Sequence, residues 1–147
     1  MRTPDGWWVT PATVKAVLVH DGAVLLARNP RGEWELPGGR PDEGEAEVRQ
    51  TLVRELLEET GLAVRVGRLV HAELFEVVPG HRLMMVALHA ELDDGPDDGP
   101  DGAPGATAGP ARVVVSAEHS DVRWFPLDAL PAALPQVYAT AIGLAVT

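Results

Sequence analysis

The chain has 147 residues, of which 46% are hydrophobic, and a formal charge of −10. That is enough for one domain, residues 1–147, with a genuine core, and the acidic balance argues against a nucleic-acid polymer as partner, since such binding rests on a basic surface. The absence of cysteine excludes disulfides and thiolate catalysis, while no apolar run or signal-like N-terminus points to a membrane, which leaves the cytoplasm as the expected location.

Two apolar, β-rich runs, Thr13 to Val19 and Ala23 to Ala27, flank His20-Asp21-Gly22; Asp-Gly between such runs predicts a hairpin. Trp34 to Leu36 reads as a short strand entering a tight turn at Pro37-Gly38-Gly39, where proline fixes φ and glycine permits close backbone approach. A helix is expected from Gly44 or Glu45 to Thr60, with Val48, Leu52, Leu56 and the flanking Val53 and Leu57 as its buried stripe, its glutamates turned to solvent and Gly61 as its stop. Val64 to Val78 and Arg82 to Leu92 look like strands joined by a Pro79-Gly80 turn.

Residues 93–111 are almost entirely Asp, Gly, Pro, Ala and Thr, with no apolar side chains to offset the entropy of ordering, so a disordered loop is expected there. Arg112 to Ser116 and Val122 to Phe125 resume strand character. Leu127 to Leu130 would make one helical turn before Pro131, and Gln136 to Val146 a closing helix. Strands on either side of a long helix, with a second helix at the end, imply an α/β fold: a mixed sheet with helices on its faces.

The chemistry concentrates in Arg54-Glu55-Leu56-Leu57-Glu58-Glu59. Glu55 lies three residues from Glu58 and four from Glu59, the spacings that place helical side chains on one face. Like charges so placed repel, and Arg54 alone does not balance three acids. A hard divalent cation accounts for them: Mg²⁺ chooses carboxylate oxygens, and phosphates commonly complete its shell. The cluster therefore reads as a metal site serving a phosphorylated substrate.

The stretch from Gly39 to Leu62 resembles the signature of the Nudix hydrolases: a glycine, five residues, a glutamate, seven residues, then Arg-Glu-aliphatic-any-Glu-Glu-any-Gly-aliphatic. Gly39 and Glu45 match its first half; Arg54, Glu55, Leu56, Glu58, Glu59, Gly61 and Leu62 match its second, and Leu36-Pro37-Gly38 is similar to the usual lead-in. There is one departure, because eight residues and not seven separate Glu45 from Arg54. An extra residue turns a helical position by about 100°. Either the loop absorbs it and Glu45 keeps the family's role of pairing with the arginine, or Glu47 takes over; the conserved distance from Gly39 favours Glu45.

The resemblance implies an α/β/α sandwich and a Mg²⁺- or Mn²⁺-dependent hydrolase that cleaves the diphosphate linkage of a nucleoside diphosphate derivative, such as a nucleoside triphosphate, nucleotide sugar, ADP-ribose or dinucleotide. Glu55, Glu58 and Glu59, with the Gly38 carbonyl, would hold the metal, while Gly39, Glu45, Arg54 and Gly61 support the site. The general base would be one of the glutamates or a later-loop carboxylate, for which Glu118 is the candidate. Arg28 could reach substrate phosphate, and Trp8 is the candidate platform for a base, with Trp7, Trp34 and Phe75 as other aromatics. A homodimer is compatible with the resemblance, though no interface is fixed. The rival reading is a non-catalytic nucleotide-sensing module on the same fold.

Overall fold

The computed structural model describes residues 2–93 and 121–147. The expected loop at 93–111, apart from Asp93, the expected strand at Arg112 to Ser116, and Glu118 lie outside these residues. Strands β1 (Ala12–His20) and β2 (Ala23–Arg28) form the hairpin around Asp21 and Gly22, whose positive φ values of 49° and 75° are those of the turn that matches strand twist. β3 (Trp34–Glu35) is followed by β4 (Gly38–Gly39), helix α1 (Val48–Thr60), the long strands β5 (Val64–Val78) and β6 (His81–Leu92), β7 (Asp121–Pro126) and helix α2 (Gln136–Ala145). Leu127 to Leu130 forms no helical turn.

The sheet runs β3-β2-β1-β6-β5, with β4 paired to β1 and β7 to β2. β1 and β6 are parallel, and the other pairs are antiparallel, so the sheet is mixed as expected. β1 is buried on both faces from Thr13 to Leu18, and its alternation divides the core. Val14, Ala16 and Leu18 join Leu52 and Leu56 of α1 on one face, while Val17 joins Val137, Ala141 and Ile142 of α2 on the other. Helices on opposite faces complete the α/β/α layering.

Two expectations need correcting. Gly38-Gly39 is no isolated turn: Lys15 opposes Gly38 and Val14 opposes Gly39 in antiparallel register. Helix α1 also starts later than expected, because residues before it are held in a loop by side chains. Gln50 Oε1 accepts from the backbone N–H groups of Ala46 and Glu47 at 3.0 and 3.1 Å, closing the helix start. Gly61 ends the helix as expected, at φ 74°, its N–H bonded to the Leu57 carbonyl.

Candidate active site

The buried face of α1 is not the expected stripe. Thr51, Leu52, Leu56, Glu59 and Thr60 are buried, whereas Val48, Val53 and Leu57 are exposed. The helix is thus rotated so that a carboxylate, Glu59 at 3% exposure, lies inside. Burying a charge is costly unless it is hydrogen-bonded. The Gly38 N–H donates to Glu59 Oε2 at 3.1 Å, so the strand backbone supplies a partner.

The three box glutamates consequently divide. Glu55 and Glu59, one helical turn apart, line a cavity of about 600 Å³ together with Gly38, Gly39 and Arg40, whereas Glu58 is exposed and lies outside the lining. At Gly39 a Cβ would stand 2.5 Å from the Glu55 carboxyl carbon, so any side chain there would displace that carboxylate. Gly38 is required by conformation, with φ +145° and a would-be Cβ directed into the backbone of Val14 and Lys15.

Arg54 ties the outer part of this arrangement together. Its Nε donates to Glu45 Oε2 at 2.8 Å and its Nη2 to Glu45 Oε1 at 3.1 Å, a forked pairing. Its Nη1 donates to Glu55 Oε1 at 2.9 Å and Glu58 Oε2 at 3.2 Å, and Nη2 also reaches the Arg40 carbonyl at 3.1 Å. Glu45 therefore holds the arginine-pairing position, and Glu47 is the residue capping the helix. The extra residue is accommodated in the loop, where Glu45 Oε1 further accepts from the Asp42 N–H at 2.7 Å and the Thr51 hydroxyl at 3.0 Å. The Arg54 bond, followed by the Asp42 N–H, holds the Glu45 carboxyl at about 2, well below its ordinary 4.5. Reciprocally, Glu45 first and Glu55 next push the Arg54 guanidinium upward, so it stays charged.

A second group of residues lining the cavity was not anticipated. Lys15, in the middle of β1, projects to the α2 face and approaches Glu35 Oε1 at 3.8 Å, with side chains only 8% and 16% exposed. Asn29 Nδ2 donates to Glu35 Oε2 at 3.3 Å, and Asn29 is itself fixed because its Oδ1 accepts from the Arg31 and Glu33 N–H groups at 3.0 Å each. Tyr138 of α2 and Phe75 of β5 also line the cavity and meet edge-on at 6.0 Å. Burial, with the Glu35 charge adding to it, pushes the Tyr138 hydroxyl upward, so it remains neutral. The available signal was Lys15 itself, a lone cation within an apolar strand.

Of the other expected contributors, Arg28 lies outside the cavity lining: its Nε donates to the Gly32 carbonyl at 3.2 Å, and its guanidinium sits 5.9 Å from the Trp34 ring. Trp8 is exposed under Arg2, 4.5 Å from its guanidinium, and lines a second cavity with Val9, Thr10 and Leu74; His81 borders both cavities. Trp34 packs edge-on against Phe125 at 4.8 Å.

The donors at the acidic end are carboxylate oxygens, the hard ligands that Mg²⁺ and Mn²⁺ accept. Among the described residues no three acidic or imidazole side chains converge as a ready-made cage, since Arg54 draws Glu55 and Glu58 together outside the Glu59 contact. Mg²⁺ commonly keeps waters and substrate phosphates in its shell, so a site with few protein ligands suits it. The residues fit a divalent cation.

The profile of the NUDIX domain matches residues 9–142, and the chain belongs to the Nudix family. It is 42% identical over 69 residues to the CTP pyrophosphohydrolase of Escherichia coli K12, a match covering 44% of this chain and about half the length of that relative. Its fold is similar to the crystal structure of a MutT NUDIX hydrolase from Burkholderia pseudomallei, with a TM-score of 0.70, 26% identity and coverage of 93% of this chain and 98% of that one. It is also similar to the NUDIX domain of Shewanella oneidensis NrtR, solved with ADP ribose, at a TM-score of 0.68, 23% identity and coverage of 98% and 91%; this likeness bears on fold alone. Among the described residues no helix is long and apolar enough to cross a membrane.

Proposed function

We propose that the chain is a divalent-metal-dependent pyrophosphohydrolase acting on a nucleoside diphosphate derivative. The observation that carries this reading is the pair Glu55 and Glu59, set against the Gly38-Gly39 backbone and opening on one cavity. The CTP pyrophosphohydrolase relative supports a nucleoside triphosphate as the substrate form.

Glu55, Glu59 and the Gly38 carbonyl would hold Mg²⁺ or Mn²⁺, with Glu58 joining them on releasing Arg54. Such an ion, when bound, neutralises phosphate charge and makes phosphorus accessible to water. The protein's own part is positional. Gly38 N–H fixes the Glu59 carboxylate, Arg54 orients Glu55, and Glu45 holds Arg54. Water oxygen bonds to phosphorus, the bridging phosphorus–oxygen bond breaks, and a carboxylate accepts the proton lost by water. Glu55, Glu58, Glu59 and Glu118 are the carboxylates available for that transfer.

A hydrolysis panel of nucleoside triphosphates, nucleotide sugars, ADP-ribose and dinucleotides, run in oxygen-labelled water with and without Mg²⁺, tests the reading. Metal-dependent release of two phosphorylated products, one bearing the label, is expected. Saturable nucleotide binding without turnover contradicts it and favours a sensor.

A further inference from the structure

We infer that the second cavity, the one bordered by Trp8, binds a planar heterocycle carrying a phosphate, as a molecule separate from the substrate. Residues 2–8 close into a small loop. Arg2 pairs with Trp8 across an antiparallel bridge, the Thr3 N–H donates to the Trp7 carbonyl at 2.7 Å, and the Trp7 N–H donates to the Thr3 hydroxyl at 3.0 Å. Arg2 Nη1 donates to the Gly6 carbonyl at 2.9 Å, and its guanidinium lies 4.5 Å over the Trp8 ring. Yet every residue from Pro4 to Thr10 is exposed, Trp8 by 66%. Fixing a backbone costs conformational entropy, and no burial in this loop offsets it. What the ordering delivers is an indole held beside a cavity of about 750 Å³.

The lining sets the chemistry of the ligand. Trp8, Val9, Pro11 and Leu74 give it aromatic and apolar surface against which a ring packs. Arg82 and His81 add N–H donors, and among the described residues neither side chain makes a hydrogen bond or an ion pair. Glu76 opposes Arg82 in the β5–β6 register, but no carboxylate lines the cavity among the described residues. A cationic wall in a chain of formal charge −10 selects an anion, and a guanidinium fork matches phosphate oxygens. Ring and anion together are the chemistry of a nucleotide. The strands keep this ligand apart from the substrate, because consecutive strand residues point to opposite faces. The register partners Phe75 and Leu83 line the first cavity, whereas their neighbours Leu74 and Arg82 line the second. The β5–β6 ribbon therefore stands between the two, and of their lining residues only His81, at the start of β6, borders both.

The test follows the indole N–H signals of the ¹⁵N-labelled chain by NMR in EDTA, which keeps divalent cations from bridging a phosphate to Glu55 and Glu59. Trp8→Phe assigns the Trp8 signal. The probes are AMP and CMP, the nucleosides adenosine and cytidine, which lack the phosphate, and ribose 5-phosphate, which lacks the base. AMP or CMP is expected to move the Trp8 signal saturably, with the nucleosides and ribose 5-phosphate at least about ten-fold weaker. Arg82→Gln is expected to erase the advantage of AMP over adenosine. Trp8→Ala, read at the Arg82 amide, is expected to weaken AMP roughly ten-fold and leave ribose 5-phosphate unchanged. Both side chains are exposed, so neither substitution removes a core contact. A Trp8 signal that no probe moves, or equal affinities for AMP and adenosine, overturns the inference. Movement with protein concentration alone, matched by a sedimenting dimer, also overturns it and assigns the surface to a second copy of the chain. A diadenosine polyphosphate that moves the signal where AMP does not makes this cavity the far end of an extended substrate, against a separate molecule. None of these readouts needs metal or turnover, so failure here leaves the hydrolase reading intact.

Discussion

Two groups of residues that line the first cavity contrast in how they are assembled. The acidic end is built from contiguous chain: Gly38 and Gly39 lead through a loop into α1, and Glu55 and Glu59 return to the same two glycines. A second group of lining residues, Lys15 on β1, Glu35 on β3, Phe75 on β5 and Tyr138 on α2, is brought together only by the folded sheet. The first group is contiguous in sequence, while the second is shared between strands and a helix.

The largest expected effect is in the first group. Glutamine at Glu55, Glu58 or Glu59 should lower kcat by roughly 10²- to 10⁴-fold with little change in Tm, the range associated with loss of a positioned acid–base group. Steady-state turnover at saturating Mg²⁺ checks this; a change confined to KM would contradict it. Next is the strand backbone that holds Glu59. Gly38→Ala forces a Cβ into Val14 and Lys15 at φ +145°, and should destabilise the fold by about 1–3 kcal/mol in urea unfolding while reducing turnover. An unchanged midpoint would show that the strand yields without cost.

How much of this was legible follows the same division. The helix carrying Arg54, Glu55, Glu58 and Glu59 and its stop at Gly61 were readable because helical spacing and a glycine stop are local properties of consecutive residues, whereas Gly39 was picked out by the resemblance to the family signature. The orientation of the helix was not. Hydrophobicity alone put Val53 and Leu57 inside, yet both are exposed, and Glu59 is buried instead with the Gly38 N–H as its partner. The start of α1 was misplaced for a related reason: Glu45 accepts from Arg54, Asp42 N–H and Thr51, and those long-range bonds hold its segment out of the helix. Lys15 carried a signal, a charge within an apolar strand, but its partner Glu35 is fixed only by strand pairing through β2.

Glu45 supplies a sharper test of the support around the acidic end. Its carboxyl is held near 2 in the folded chain against an ordinary 4.5, so its stabilising effect is complete above about 4.5 and is lost as pH falls toward 2. Glu45→Gln should lower Tm at neutral pH and flatten that acid limb. Thermal scans across the window check it, and parallel limbs for the two proteins would assign the acid sensitivity elsewhere. The smallest effects are expected at Arg28 and Trp8, which lie outside the first cavity. Alanine at either should raise KM by no more than about five-fold without changing kcat, as befits a peripheral contact of under ~1 kcal/mol.

The most direct measurement is a Mn²⁺ titration followed by the electron spin resonance of the free ion, comparing the parent chain with Glu59→Gln in the presence of a nucleotide. Uptake by the parent chain that is weakened at least about ten-fold by the substitution is the expected result. Equal uptake by the two proteins, or none by either, would contradict the assignment of the buried carboxylate to cation binding.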